Sequence, residues 1–358
     1  MTAARGIFTF AGHRIPRGQS RNCRIKISET YTGAPIEIPV RVITGRDPGP
    51  TLFVTAAVHG DEVNGVGIVH DLMFARPPRL RNGALIMVPV VNCFGFESHE
   101  RYLPDRRDLN RSFPGNVDGS LASRLAATVM SEVVARSDYG IDLHSAATQR
   151  TNFPNVRADL DLGGTRRLAR AFGAALIVDG KGPTGSLRRE ACKAGCPTII
   201  LEAGEPGKIE PSVLEIGVRG VRNVLIDLGM IDGTRTTPPF QTYIRKTLWV
   251  RSPGAGLLKF HIGPGDFLEA GEAIATLSPI LGSDTQTLHA PDNAIVLSVA
   301  TLPAVKPGEP VCLLAFPTRR FSSLKRQAES SSRGMHNRAR THLATNIHVV
   351  QPVESDED

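Results

Sequence analysis

Short apolar runs alternate with segments of helical apolar spacing through the middle of the chain. The pattern predicts strands at 51–58, 84–91, 139–143, 174–178 and 197–202, and helices near 62–75, 119–136, 162–173, 186–194 and 210–228. Strands that alternate with helices are typical of a largely parallel sheet covered on both faces. We therefore predict the α/β class, with a mostly parallel or mixed sheet and helices on both faces.

The chain divides into four predicted parts. Their bounds are 1–46 for a β-rich N-terminal segment, 47–235 for the α/β domain, 240–316 for a small β domain and 317–358 for a tail. Strands at 23–27 and 36–43 characterise the first part, and Pro238-Pro239 lies in a turn-rich linker before the third. The tail keeps no apolar periodicity, so we predict that it is disordered.

The small β domain contains a short internal repeat. Residues 253–258 are echoed by 291–296, and residues 270–274 are echoed by 307–311. Short strands between Gly-rich turns, duplicated once, predict a two-fold β-barrel or sandwich.

Composition is ordinary for a globular protein with a substantial core. The chain has 358 residues, of which 41% are hydrophobic and 22% charged. No apolar stretch approaches membrane-spanning length, residues 1–20 lack the apolar core of a signal peptide, and five scattered cysteines fit reduced thiols. We therefore predict a cytoplasmic protein without a membrane partner.

The net charge of +7 is weak evidence for a nucleic-acid partner. Seven basic residues and one acidic residue lie between Pro317 and Arg340, so about +6 of the charge belongs to the predicted tail. We predict no nucleic-acid partner.

Three predicted strands end in residues that can bind or assist a metal ion. The first is followed by His59-Gly60-Asp61-Glu62, the second ends in His144, and the third ends in Glu202. Two imidazoles and a carboxylate form the ligand set of a catalytic zinc with an open position, and a second carboxylate can serve as the base for its water. The pattern predicts one zinc per chain, with Glu202 as the catalytic residue.

Each of these residues also has a plainer interpretation. A His-x-x-Glu by itself is more often a capping carboxylate beside an incidental histidine. Glu202 could cap a helix or neutralise an arginine, and Glu205 is a second choice for the base. His70 and His99 are weaker candidates, because the first lies within a predicted helix and the second has no evident partner.

An arginine-rich loop precedes the second of these strands. It contains Asp108-Leu109-Asn110-Arg111 together with Arg101 and Arg107. The planar fork of arginine suits a carboxylate, and Asn110 adds a neutral amide donor. The loop could instead be a plain capping loop, and either Arg101 or Arg107 could polarise a scissile carbonyl.

Taken together, four motifs resemble the succinylglutamate desuccinylase and aspartoacylase family, relatives of the zinc carboxypeptidases. They are His59-Gly60-Asp61-Glu62, Asp108-Leu109-Asn110-Arg111, Asp142-Leu143-His144 and Leu201-Glu202-Ala203-Gly204, within residues 50–230. The resemblance implies zinc held by His59, Glu62 and His144, Glu202 as acid/base, and a substrate carboxylate contacted by Asn110 and Arg111. Arg188 is similar to a further substrate arginine of aspartoacylases.

The small β domain resembles the biotinyl/lipoyl-like half-barrels of this family. Carrier versions present a lysine on a hairpin, whereas residues 281–286 contain none here. We therefore expect no covalent cofactor and a domain that shapes the mouth of the active site or an oligomer contact.

The predicted function is a zinc-dependent deacylase that hydrolyses the amide bond of a small N-acyl amino acid or a related compound. A small carboxylate is the expected substrate, and a homo-oligomer is possible. A metallocarboxypeptidase acting on short peptides and a non-catalytic metal- or ligand-binding module are the alternatives.

Overall fold

The computed structural model describes residues 7–330, 334–345 and 347. Its strands are β1 (Ile7–Phe10), β2 (His13–Pro16), β3 (Ser20–Glu29), β4 (Pro35–Thr44), β5 (Asp47–Ala56), β6 (Asn82–Val88), β7 (Tyr139–His144), β8 (Arg150–Ala158), β9 (Leu176–Asp179), β10 (Thr198–Gly204), β11 (Thr242–Arg251), β12 (Gly256–Phe260), β13 (Phe267–Leu268), β14 (Ala273–Ser278), β15 (Gln286–His289), β16 (Ala294–Ala300), β17 (Ala304–Val305) and β18 (Pro310–Pro317). The α-helices are α1 (Val63–His70), α2 (Cys93–Ser98), α3 (Leu121–Glu132), α4 (Gly163–Phe172), α5 (Leu187–Lys193), α6 (Pro211–Asp227), α7 (Phe321–Glu329) and α8 (Met335–Ala344).

One mixed sheet of twelve strands organises the fold, in the order β13-β16-β18-β11-β9-β8-β10-β7-β5-β6-β4-β3. Strands β6, β5, β7 and β10 run parallel to one another. Strand β8 is antiparallel to β10, and β3 is antiparallel to β4. The predicted mixed α/β class is confirmed.

Helices cover both faces of the sheet because central strands such as β5 carry apolar side chains on both sides. In β5, Leu52 and Val54 pack in a core with α1, α4 and α6, whereas Phe53 packs in a second core with α3 and α5. A strand that is buried on both faces reads as a continuous apolar run. This is why β5 was readily predicted from the sequence.

Strand β8 was not predicted. It reads Arg-Thr-Asn-Phe-Pro-Asn-Val-Arg-Ala, and its polar residues and Pro154 interrupt the apolar pattern that marks the other strands. It pairs with β10, β9 and β16, and the pairings β8-β9-β11-β18-β16-β8 close a five-stranded barrel. Several of its polar side chains line a cleft, and this accounts for the polar sequence.

The strands after residue 240 connect with those before it. Strand β11 pairs in parallel with β9, and β16 pairs with β8. A separate sheet, in the order β15-β14-β12-β17, shares a core with β16 and β18, to which Leu258, Leu277, Val296 and Leu314 contribute. The first pair of repeated segments, 253–258 and 291–296, leads into β12 and β16. The second pair, 270–274 and 307–311, leads into β14 and β18.

The prediction of a disordered tail is wrong for residues 321–329 and 335–344, which form α7 and α8. Leu324 and Ala328 are buried, and so are Ala339 and Leu343. Each pair is four residues apart, and two such positions give a short helix an apolar stripe that was too sparse to be recognised in the sequence. The remainder of the predicted tail, at 331–333, 346 and 348–358, lies outside the described residues.

Helix α8 is held against α6 by polar contacts as well. The Ser212 hydroxyl and Nδ1 of His342 lie 2.8 Å apart, and Arg338 forms an ion pair with Glu215 at 2.7 Å. None of the helices in the described ranges is long and apolar enough to cross a membrane.

Candidate active site

The turn after β5 brings His59 and Glu62 together. Ala57 adopts a φ of 48°, which turns the chain away from the strand direction. A side chain on Gly60 would place a Cβ 2.0 Å from the backbone of Gly95, so only glycine allows this close approach to α2. As a result, Nδ1 of His59 lies 2.6 Å from Oε1 of Glu62.

His144 reaches the same carboxylate from the neighbouring strand β7. Its Nδ1 lies 2.9 Å from Oε2 of Glu62, which also accepts a hydrogen bond from the backbone N–H of Ser145 at 2.9 Å. One ligand atom from each of His59, Glu62 and His144 lies within 4.8 Å of the other two, and all three residues are buried. The structure therefore brings the three predicted metal ligands to one point.

Two aspartates hold the far sides of the imidazoles. Nε2 of His59 lies 3.2 Å from Oδ1 of Asp108, and Nε2 of His144 lies 2.7 Å from Oδ2 of Asp142. The other oxygen of Asp142 accepts a hydrogen bond from the Thr55 hydroxyl at 2.7 Å. A carboxylate on the second nitrogen fixes the tautomer and orientation of a ligating histidine.

Sequence analysis did not assign these roles to Asp108 and Asp142. The signal for Asp142 was available, because residues two apart in a strand point to the same face and Asp142 precedes His144 by two. Asp108 gave no such signal, because it comes from a loop far from His59 in sequence.

Charge within the cluster shifts its proton equilibria. Burial opposes the charged form of each imidazole, yet the carboxylate of Glu62, together with Asp108 at one ring and Asp142 at the other, raises the pKa of both His59 and His144. Burial likewise opposes ionisation of Glu62, but the two histidines hold its pKa well below the usual range. Protons and a cation would therefore compete for the same ligand atoms of the cluster.

Glu202 lies beside the cluster at the end of β10. It is the register partner of His144 on the adjacent parallel strand, and both residues line the same cleft. Its Oε2 accepts a hydrogen bond from Nδ2 of Asn152 at 3.0 Å, and its Oε1 lies 3.7 Å from Nε of Arg157. Glu205, the second choice for a base, instead accepts a hydrogen bond from Thr301 and pairs with Lys208.

The structure separates the two arginines proposed to polarise a carbonyl. Arg101 donates to Glu62 and to Asp108, at 3.2 Å in each case, and lines the cleft. Arg107 is exposed, lies outside the cleft and faces Asp105 at 3.8 Å. The two weaker histidine candidates, His70 and His99, are also exposed and outside it.

Asn110, Arg111 and Arg188 also line the cleft, and we call these three residues the anion wall. Oδ1 of Asn110 accepts the backbone N–H of Leu187 at 2.9 Å, which leaves its amino group as the available donor. Arg111 donates to the carbonyl of Asn110 at 2.7 Å. Arg188 donates to the carbonyl of Gly180 at 2.8 Å, and burial lowers the pKa of its guanidinium. The wall is therefore rich in donors for an anion.

The cleft has a volume of about 250 Å³, and the later β strands form part of it. Trp249 of β11, Ser298 of β16 and Leu313 of β18 line it together with the predicted site residues. The guanidinium of Arg150 lies 4.9 Å from the ring centre of Trp249. Sequence analysis missed six residues of the cleft: Arg150, Asn152, Arg157, Trp249, Ser298 and Leu313. Arg150, Asn152 and Arg157 were missed because they lie on β8, which was not predicted, and Ser298 was missed because it lies on β16, which pairs with β8.

Comparison with known proteins agrees with this geometry. A model of the succinylglutamate desuccinylase/aspartoacylase catalytic domain matches residues 48–228. Because the match covers half of the chain, this protein belongs to the succinylglutamate desuccinylase/aspartoacylase family, and the resemblance of the four motifs is confirmed.

Similar proteins cover most of the chain. The N-alpha-acetyl-L-2,4-diaminobutyric acid deacetylase of Halomonas elongata is 29% identical over 305 residues, covering 81% of this chain and 89% of that protein. A succinylglutamate desuccinylase/aspartoacylase structure from Rhodobacter sphaeroides is 28% identical with a TM-score of 0.73, covering 84% and 95% of the two chains. The product-bound ectoine utilization protein EutE (DoeB) from Ruegeria pomeroyi shares the fold at 24% identity and a TM-score of 0.74, over 87% and 99%.

Proposed function

We propose that this protein is a zinc-dependent deacylase that hydrolyses the amide bond of a small N-acyl amino acid or a close relative. The observation that carries the proposal is that His59, Glu62, His144 and Glu202 line one cleft, although they come from three separate strand ends. Family membership and the similarity to an N-acetyl amino acid deacetylase support the same reaction class.

The donor set fits one zinc ion per chain. Two imidazole nitrogens and a carboxylate are a common ligand set of catalytic zinc sites, and they leave one position open. Nδ1 of each histidine faces Glu62 while Nε2 faces an aspartate, so Nδ1 is the nitrogen available as a ligand. When bound, zinc would supply a Lewis acid for the acyl carbonyl and would lower the pKa of the attacking water.

Glu202 would carry out the proton transfers of the reaction. Its carboxylate would take a proton from the water as the oxygen attacks the acyl carbon, and would pass that proton to the leaving amine. Arg101 lies against Glu62, where its guanidinium can stabilise negative charge that develops on the carbonyl oxygen.

Substrate size and charge would be set by the walls of the cleft. Asn110 and Arg111 would anchor a free carboxylate, for which a planar guanidinium and an amide are suitable donors. A volume of about 250 Å³ is below the usual range of drug-sized sites. This favours a small acylated amino acid over a peptide.

The test is a substrate panel with the zinc-loaded protein. N-acetyl, N-succinyl and N-formyl amino acids, including N-acetyl-L-2,4-diaminobutyrate, are compared with short peptides. Glu202→Gln should retain zinc and lose about 10²–10⁴-fold in kcat. Glu205→Gln is the matched control, because Glu205 lies outside the cleft, and its kcat should match that of the wild type.

Other outcomes would support the alternatives. Preferential cleavage of peptides would identify a metallocarboxypeptidase. Ligand binding without turnover of any compound in the panel would identify a binding module.

A further inference from the structure

The two carboxylate oxygens of Glu202 have different surroundings. Oε2 accepts a hydrogen bond from the amide of Asn152 at 3.0 Å. Oε1 faces Nε of Arg157 at 3.7 Å, which is too long for a hydrogen bond. The carboxylate therefore has one oxygen held by a neutral donor and one that remains available for a further contact.

The strand pairings hold Asn152 in place. Asn152 is buried on β8, where it pairs in register with Gly204 of β10 on one side and Ser298 of β16 on the other. The Ser298 hydroxyl donates to the carbonyl of Thr151 at 3.1 Å, which ties the two strands together. Asn152 thus projects from backbone that is hydrogen-bonded on both edges, and its side chain has little freedom to leave Glu202.

A β-bulge aligns the two side chains. The register between β10 and β8 shifts between Glu202, which pairs with Asn155, and Gly204, which pairs with Asn152. Gly204 has a φ of 71°, and a Cβ there would lie 1.9 Å from a carboxylate oxygen of Glu210. Nδ2 of Asn155 donates to the backbone carbonyl of Glu202 at 3.2 Å. Glu202 is therefore held through its backbone by Asn155 and through its carboxylate by Asn152.

We propose that Asn152 is a positioning residue for the deacylation proposed above, and that it assigns different roles to the two oxygens of Glu202. Oε2 remains the acceptor of the Asn152 amide. Oε1 forms the bond to the proton that leaves the attacking water, and this bond breaks when the proton passes to the leaving amine nitrogen. A proton on Oε2 would face the amide N–H of Asn152 at 3.0 Å, donor against donor. The donor beside Oε1, Nε of Arg157, lies 3.7 Å away, beyond hydrogen-bond distance, so Oε1 is the favoured carrier.

The inference rests on the proposed role of Glu202 as the base. The isosteric substitution Asn152→Asp tests the role of Asn152. The new carboxylate would face Oε2 across the 3.0 Å contact, and two carboxylates at that distance favour sharing a proton. With the best substrate of the panel, kcat should fall by about 10²-fold. The acid limb of the kcat/KM profile should also move to higher pH. Asn152→Ala should lower kcat similarly, and its crystal structure should show the Glu202 carboxylate turned from its wild-type position.

Thr151→Val is the matched control on the same strand. Thr151 is buried and its hydroxyl has no hydrogen-bond partner among the described residues, so the isosteric valine should leave kcat and the pH profile as in the wild type.

The outcomes separate the inference from the proposed function. If Glu202→Gln is inactive while both Asn152 variants keep the wild-type kcat and pH profile, the inference is wrong and the base assignment stands. If Thr151→Val loses as much activity as Asn152→Asp and neither moves the acid limb, Asn152 has only a structural role. An active Glu202→Gln would overturn the base assignment and the inference with it.

Discussion

Asp142→Asn is the change that most sharply tests how the cluster is built. Asp142 is fully buried, and its two oxygens contact Nε2 of His144 and the Thr55 hydroxyl, each at 2.7 Å. Asp142→Asn keeps the shape of the side chain but removes the negative charge that holds the imidazole with Nδ1 toward Glu62. His144, the proposed ligand, is itself unchanged.

The expected loss is in zinc affinity. Carboxylates behind ligating histidines typically contribute 10- to 100-fold to metal affinity, and this corresponds to about 1.4–2.8 kcal/mol at 25 °C. Because Asp142 has no exposed surface, little compensation from water is expected, and we predict a value near the upper end. The dissociation constant can be measured by competition with a chromogenic chelator at fixed pH.

Asp138→Asn is the matched control from the segment just before β7. Oδ2 of Asp138 accepts the backbone N–H of Thr51 at 2.7 Å, and Asp138 is not among the residues that line the cleft. Its variant should bind zinc as tightly as the wild type. Equal affinity in Asp142→Asn and the wild type would refute the role of Asp142, and equal losses in both variants would point to general destabilisation.

Three further predictions concern the cluster, the anion wall and the tail. The pKa values of the two histidines in the cluster are raised, so protons should compete with zinc for these side chains already at a pH above the ordinary imidazole pKa of about 6.5. As the pH is lowered, zinc affinity should therefore start to decrease before a pH of about 6.5 is reached, and zinc titrations that give the same affinity at every pH would contradict this. Arg111→Ala should raise KM for carboxylate substrates roughly 10- to 100-fold with a small change in kcat, whereas steady-state kinetics of Arg107→Ala should match the wild type. Leu343→Ala should lower the free energy of unfolding by about 2–5 kcal/mol in denaturant titrations, while the exposed control Leu281→Ala should leave it unchanged. An unchanged stability in Leu343→Ala would favour a tail that does not pack.

The sequence predicted residues of the cleft where a candidate metal-binding or catalytic side chain directly follows or ends a recognisable strand. β5, β7 and β10 are largely buried on both faces and contain short apolar runs, so their ends could be located and His59, His144 and Glu202 could be assigned to one edge of the sheet. The parallel pairing of these strands then brings the residues together. Local spacing sufficed because parallel strands end at the same edge.

Contacts between segments that lie far apart in the chain could not be predicted from the sequence. Asn152 and Arg157 lie on a strand several of whose polar residues line the cleft, so β8 lacks the pattern of a buried strand. The choice between Arg101 and Arg107 depends on how one loop folds over Glu62, which residue type alone does not determine. The tail helices were missed because packing against the rest of the fold, and not their own periodicity, stabilises them. For α8 the packing partner includes α6.

Diffraction from crystals of the zinc-loaded protein, recorded on both sides of the zinc absorption edge, tests the central claim most directly. The account predicts one anomalous peak per chain, about 2.0–2.2 Å from Nδ1 of His59, Nδ1 of His144 and a carboxylate oxygen of Glu62. A peak at other residues, or none at this cluster in a protein that hydrolyses its substrate, would contradict it.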